Sequence, residues 1–146
     1  MSLWVLDTDH IALVLRGNLP IQQRMALFSV QAVTNVITVQ ETFNGWVSEL
    51  NLPKTSREKM LWQYHQLVLA TELFGKVTVL EFDSAAYDCY LALIEQNPAL
   101  RKSRLRNDMR IASIALSNGA TIVTRNRRDF ELVPGLTIED WSIPID

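Results

Sequence analysis

Cysteine is almost missing from this 146-residue chain, where Cys89 stands alone. A single thiol excludes an internal disulfide and any zinc site built on cysteine. Its place in an apolar helical pattern reads as core packing, which suits a reducing compartment. Histidine is nearly as scarce. His10 falls in the first turn of an expected helix and His65 lies mid-helix without a partner at ligand spacing, so neither is expected to be catalytic. The amino terminus has no basic segment leading into a long apolar run, and no apolar stretch approaches the roughly 18 residues of a membrane span. The expectation is a cytoplasmic protein with no membrane partner. Repeats, low-complexity tracts and linkers are lacking too. Residues 1–146 are therefore expected to form a single domain, and 48% hydrophobic residues suffice for its core.

Net charge is −2, which argues against indiscriminate binding to nucleic acid, but the charges are uneven. Residues 101–128 hold Arg101, Lys102, Arg104, Arg106, Arg110, Arg125, Arg127 and Arg128 against the one acid Asp108, a local +7 that leaves −9 for the rest of the chain. Such a run is either a solvated face or a surface for phosphate. Seven of its eight cations are Arg, whose planar fork matches phosphate oxygens, and that favours phosphate.

What is present is an alternation of short strands and helices. L-W-V-L (3–6) stops abruptly on D-T-D, and four more strand candidates come after it: A-V-T-N-V-I (32–37), K-V-T-V-L (76–80), A-T-I-V-T (120–124) and L-T-I (136–138). Helices are expected over 10–16, about 20–30, 38–50, 56–74, 84–96 and 108–117. The fourth of these carries Leu61, Tyr64, Leu67, Val68 and Thr71 at helical spacing. Strands alternating with helices give the α/β class, a parallel sheet with helices on both faces.

Acids recur where such a sheet places its chemistry, outside the carboxyl ends of the strands. Asp7 follows the first strand. Glu41 lies three residues after Thr38, a capping-box spacing that alone would tie it to the Thr38 N–H. Asp108 opens a helix behind Asn107, where the helix dipole favours a carboxylate. Asp129 follows the fourth strand in T-R-N-R-R-D-F and alone would pair with Arg127 or Arg128. Taken together, Asp7, Glu41 and Asp108 fall along one edge. Carboxylates gathered without a counter-ion raise one another's pKa, so such a cluster implies a bound cation. All-oxygen ligands select Mg2+ or Mn2+ rather than zinc.

V-L-D-T-D-H (5–10), V-Q-E-T-F-N-G-W (39–46) and the long block N-D-M-R-I-A-S-I-A-L-S-N-G-A-T-I-V-T-R-N-R-R-D-F-E-L-V-P-G-L (107–136) occur in that order across nearly the whole chain. Together they resemble the PIN-domain ribonucleases, specifically the VapC-type toxins of bacterial toxin–antitoxin pairs. The last block is the most specific. The resemblance implies a PIN-like fold with five parallel strands in the order 3-2-1-4-5. It also implies Mg2+-dependent hydrolysis of RNA by an endoribonuclease, and inhibition by a cognate antitoxin. Carried over by position, the acids are Asp7, Glu41 and Asp108, with a fourth site after strand four. There the chain departs from the commoner pattern: Asn126 stands where many relatives have Asp, and Asp129 follows three residues later. Both are candidates. Charge balance favours Asp129 as the ligand and Asn126 as a group that orients a water or phosphate.

In that reading the carboxylates hold one or two metal ions, which bind the scissile phosphate, activate a water and stabilise the departing 3′ oxygen. Thr8 and Thr124 are candidate hydroxyl donors, and Arg104, Arg106, Arg110 and Arg125 candidate contacts to RNA phosphates. Two rivals compete. A haloacid-dehalogenase-like phosphatase also places D-x-D after an apolar strand, but it needs a late lysine and a further paired-acid motif, and Lys102 is the only Lys beyond residue 76. A PIN-like module that binds RNA or protein without cutting would be marked by an incomplete set of acids; here only the position shared between Asn126 and Asp129 is open. Trp46 and Trp62 read as core, or as a groove for an antitoxin helix or the second copy of a homodimer.

Overall fold

Trp4, Val5 and Leu6 form the central strand β1 (Trp4–Leu6). It pairs in parallel with β2 (Ala32–Asn35) on one side and β4 (Thr121–Val123) on the other, so that Val5 lies beside Val33 and Ile122. A computed structural model describes residues 2–144 of the chain. In it β3 (Val79–Leu80) and β5 (Thr137–Glu139) complete a five-stranded sheet in the order β3-β2-β1-β4-β5, every pairing parallel. This is the order that the resemblance implies.

Period-two alternation sends neighbouring strand residues to opposite faces, and both faces are covered. Val5, Val33 and Ile122 join one core with α5 (Ser84–Gln96) and α6 (Arg106–Ser117), among them Ala86, Leu93, Met109 and Ile111. Leu6, Ala32 and Val123 join another with Ile11 of α1 (Thr8–Leu15), Ile21 of α2 (Leu19–Phe28) and Trp141. The connections after β2 and β4 are α3 (Val36–Leu50) and the short α7 (Arg127–Phe130); α4 (Arg57–Lys76) follows α3.

Several expectations need correction. The second strand stops at Asn35 rather than residue 37, because Asn35, its last paired residue, also caps α3, its Oδ1 accepting the Thr38 N–H at 2.9 Å. That removes the capping box: the Thr38 N–H is taken, and Glu41 is free for other partners. The strand expected over 76–80 is reduced to Val79–Leu80 because α4 runs on to Lys76. On α4 itself the apolar spacing does not mark the buried side. Gln63, Gln66 and Ala70 face inward, while Leu61, Tyr64 and Val68 are each more than half exposed. The helix packs chiefly on α3, and only its carboxyl end, with Leu73 and Phe74, reaches the core. Cys89 is half-buried and not among the buried core residues.

Burial therefore separates residues that sequence hydrophobicity treats alike. Ile122→Ala, at a position with no exposure in the middle of the sheet, is expected to lower unfolding free energy by about 2–5 kcal/mol. Leu61→Ser on the exposed flank of α4 should change it by less than about 0.5 kcal/mol. Urea denaturation of the two variants checks both.

Candidate active site

The site is built from residues just beyond the carboxyl ends of β1, β2 and β4. Asp7 leaves β1 as the cap of α1, receiving the His10 N–H at 3.4 Å, while its own N–H donates to Val123 of β4 at 3.1 Å. Thr124, just past β4, donates its hydroxyl to Asp7 Oδ2 at 2.6 Å and accepts the Asn126 N–H at 2.9 Å. Past β2, the capped start of α3 brings Glu41 one turn in. The Thr8 hydroxyl donates to Glu41 Oε1 at 2.6 Å and the Asn107 amide to Oε2 at 3.3 Å. In the first turn of α6, Asp108 receives the Asn126 amide at 3.4 Å, and the same amide donates to Asp129 Oδ2 at 3.2 Å. Asp7, Glu41, Asp108, Asn126 and Asp129 are thus linked along one edge of the sheet.

A fifth carboxylate belongs there too. Asp9 accepts the backbone N–H of Arg125 at 3.2 Å and faces His10 Nδ1 at 2.7 Å. Sequence reasoning passes over it, although D-T-D places it in the first turn of α1 directly beyond a strand end. Among the described residues, the one group of three whose ligand atoms all lie within 4.8 Å of one another is Asp7, Asp9 and His10. Asp7, Glu41 and Asp108 are not packed that tightly. His10 is nevertheless no metal ligand in this arrangement. Its Nε2 accepts the Trp141 N–H at 3.0 Å, which requires a lone pair there and a proton on Nδ1, so Nδ1 donates to Asp9. Both ring nitrogens are used, and the ligands left are all oxygen.

The electrostatics reflect this crowding. Burial, and then the adjoining Asp9 carboxylate, push Asp7 well above the usual range, with the Thr124 hydroxyl pulling the other way. Burial also raises Asp9, but the contacts with His10, Asp7 and the Arg125 N–H together outweigh it and the net shift is downward. Asp108 is pushed up to about 6 by burial and then by the charges of Glu41, Asp129 and Asp9. Asp129, itself buried, is raised by burial and lowered by Arg104, Asn126 and Arg128, which together bring it below the usual value. Its partners are Arg104 at 3.0 Å and Arg128 at 3.4 Å, so of the pairing expected with Arg127 or Arg128 only the second forms. Raised carboxylates with oxygen-only donors fit a hard divalent cation.

The remaining arginines diverge. Arg110 lies over the Tyr90 ring at 5.6 Å, and Arg127 reaches Glu131 and the Ile138 carbonyl. Arg106 and Arg125 are exposed, and among the described residues neither side chain has a hydrogen-bond or ion-pair partner. Beside the acids, a groove of about 250 Å³ runs between α1, α3 and α4, lined by Thr8, Ala12, Leu15, Thr42, Trp46 and Trp62. Trp46 and Trp62 meet edge to face at 5.3 Å, and Trp62 is half exposed, so this pair lines a surface rather than a core.

No protein-family model matches the chain. Two curated proteins align with it from end to end. The tRNA(fMet)-specific endonuclease VapC of Salmonella typhimurium is 28% identical over 144 residues, covering 97% of this chain and 99% of that protein. The tRNA(fMet)-specific endonuclease VapC of Shigella flexneri is 30% identical over 145 residues, covering 97% and 100%. A solved DNA-bound VapBC structure from Salmonella typhimurium superposes with a TM-score of 0.77 at 26% identity, over 97% of this chain and 99% of that one.

Asp108 gives the site a pH signature. The folded protein holds this proton more tightly than the unfolded chain, whose carboxyl titrates near the usual 3.8. Ionising Asp108 therefore costs the folded state stability, progressively between about pH 4 and about pH 6 and fully above. Asp108→Asn removes that cost. In EDTA the variant should melt above wild type at pH 8, with the margin shrinking to nothing at pH 4, as thermal melts across that range would read.

Proposed function

The chain belongs to the VapC family, the PIN-domain toxins of toxin–antitoxin pairs, and from that premise we propose that it is a Mg2+-dependent endoribonuclease acting at the carboxylate edge beyond β1, β2 and β4. One observation carries the reading. Five carboxylates gather there, and two of them, Asp7 and Asp108, are held above their usual range by burial and then by the neighbouring acids. A divalent cation relieves that strain.

Asp7, Glu41, Asp108 and Asp129 supply its oxygens, with Asp9 beside Asp7. The ion, Mg2+ or Mn2+, when bound lowers the pKa of a coordinated water and neutralises charge on the scissile phosphate. The protein's part is orientation. Thr124 holds Asp7, and Thr8 with Asn107 holds Glu41, through neutral donors that leave the negative charge in place. Asn126 spends its amide hydrogens on Asp108 and Asp129, which leaves its oxygen for a water or a phosphate. Arg104, Arg106, Arg110 and Arg125 provide positive charge along the RNA path, Arg106 and Arg125 being the two with no partner of their own among the described residues. The RNA to offer first is tRNA(fMet), the substrate named for the two full-length relatives.

The surfaces suggest the partners. The groove that Thr8 helps to line suits an apolar helix of a cognate antitoxin, whose seating there would cover the residue that orients Glu41. The exposed flank of α4, with Leu61, Tyr64 and Val68, suits a second copy of the chain, a homodimer that sedimentation would reveal. Among the described residues no helix is long and apolar enough to cross a membrane, and an RNA substrate points to the cytoplasm.

Purified protein should cleave RNA with Mg2+ and not with EDTA. Asp7→Asn and Asp108→Asn should each reduce cleavage at least about 100-fold, roughly the loss of 3 kcal/mol of transition-state stabilisation. Asp129→Asn should raise the Mg2+ concentration needed for half-maximal rate more than Asn126→Ala does. A wild-type rate indifferent to EDTA, or Asp108→Asn with full activity, would sink the assignment.

Salt dependence isolates the arginines. Binding to RNA in the Asp108→Asn background should weaken with salt, and replacing Arg106 and Arg125 by Ala should flatten the slope by about 0.7 for each phosphate no longer neutralised. An unchanged slope would make them solvated charges only.

A further inference from the structure

Asp129 differs from the other site acids in one respect. Among the described residues none of Asp7, Asp9, Glu41 and Asp108 has a Lys or Arg side-chain nitrogen within ion-pair distance, whereas Asp129 has two. Arg104 is the closer, its guanidinium at 3.0 Å from Asp129 Oδ1. Arg128 reaches the same oxygen at 3.4 Å with a side chain 82% exposed, against 52% for Arg104. The other Asp129 oxygen takes the Asn126 amide. The carboxylate assigned to complete the metal site is therefore already engaged by the protein itself.

Arg104 is well placed to do this and something more. It sits in the short 3-10 turn Ser103–Leu105, where Leu105 is buried in the core and its N–H bonds the Lys102 carbonyl, so the backbone beneath Arg104 is fixed. Its charge reaches Asp108 as well, pulling that carboxyl down against the three acids that raise it. Half the side chain remains in solvent. A guanidinium carries five N–H donors in a fork, and one contact with Asp129 leaves several for a phosphate.

We infer that Arg104 guards Asp129 in the free protein and gives it up when an RNA phosphate takes the guanidinium, so that RNA binding and metal binding reinforce each other through this one side chain. The inference rests on the metal-dependent reading of the site. With no RNA present, Arg104 competes with the ion for Asp129 and weakens metal binding. With RNA present, the arginine pairs with phosphate, and Asp129 becomes available as a ligand. By reciprocity the metal must then tighten RNA binding by the same factor that RNA tightens the metal. Arg104 is thus a positioning residue, acting on the ion through Asp129.

Mn2+ affinity, read by the paramagnetic resonance of the free ion, tests this without any turnover. In RNA-free protein Arg104→Ala should bind Mn2+ about fivefold more tightly than wild type, the upper end for a half-exposed pair. Arg104→Lys, which keeps the charge, should stay near wild type. The double variant Arg104→Ala with Asp129→Asn should show no gain over Asp129→Asn alone, since removing the guanidinium then frees no carboxylate. An oligoribonucleotide with a methylene group in place of each bridging 3′ oxygen, which leaves no oxygen to depart, should tighten Mn2+ binding in wild type more than in Arg104→Ala. Direct contact between ion and phosphate would tighten both equally, and equal gains would overturn the inference. So would Arg104→Ala that binds Mn2+ no better than wild type. If wild type and Asp108→Asn both fail to bind Mn2+, the metal reading itself falls, and this inference with it.

Discussion

Mutual repulsion among carboxylates at the carboxyl edge of a parallel sheet is the constraint around which this molecule is arranged. The edge is where strand ends and helix starts meet, and the chain sends Asp7, Asp9, Glu41, Asp108 and Asp129 to it. Left alone, such acids would take up protons or splay apart. Most of them are instead held by neutral donors: the hydroxyls of Thr8 and Thr124 and the amides of Asn107 and Asn126. A neutral donor fixes direction without discharging the acceptor. That keeps the edge electrostatically unfinished, which is the property a divalent ion requires of a preformed site. Arg104 on Asp129 is the exception that gives the edge its asymmetry.

The same edge is tied to the far end of the chain. Trp141 is buried against Phe28, with ring centroids 5.3 Å apart, and Phe28 stacks in turn on Trp4 at 4.2 Å. This aromatic layer holds the backbone of Trp141 where its N–H meets His10, and His10 passes the constraint on to Asp9. A fully buried imidazole with both nitrogens engaged has one available orientation. Asp9 is thereby fixed by packing some 130 residues away in sequence, and the position of one site carboxylate depends on how the end of the sheet folds.

How far the sequence reveals this divides along physical lines. Short β-rich runs alternating with helices, and acids just after them, are enough to read a parallel sheet and to find Asp7, Glu41 and Asp108, because strand-end chemistry is set by topology. Glu41 shows the limit of local rules. Its spacing from Thr38 reads as a capping box, yet Asn35 takes the Thr38 N–H first, a competition decided by where β2 ends. The stripe on α4 misleads because that helix packs on another helix at the rim of the sheet, and its apolar flank faces outward. Asp9 as a site acid, and the Arg104 pairing with Asp129, are illegible for a different reason. Their partners, Trp141 through His10 for one and Asp129 for the other, are distant in sequence, and no spacing encodes them.

Thr8 joins the chemistry to the surface. It lies between Asp7 and Asp9 in the chain, donates its single hydroxyl proton to Glu41, and also lines the groove with Trp46 and Trp62. The hydroxyl rotates about one bond, so it can serve Glu41 only while nothing at the groove mouth offers a better acceptor. An apolar side chain seated there would leave that hydrogen bond intact and close off solvent. A carboxylate or carbonyl reaching the same place would draw the proton away and release Glu41. Groove and acids thus share one residue, and through Thr8 the chemistry of a group seated in the groove bears on the orientation of Glu41.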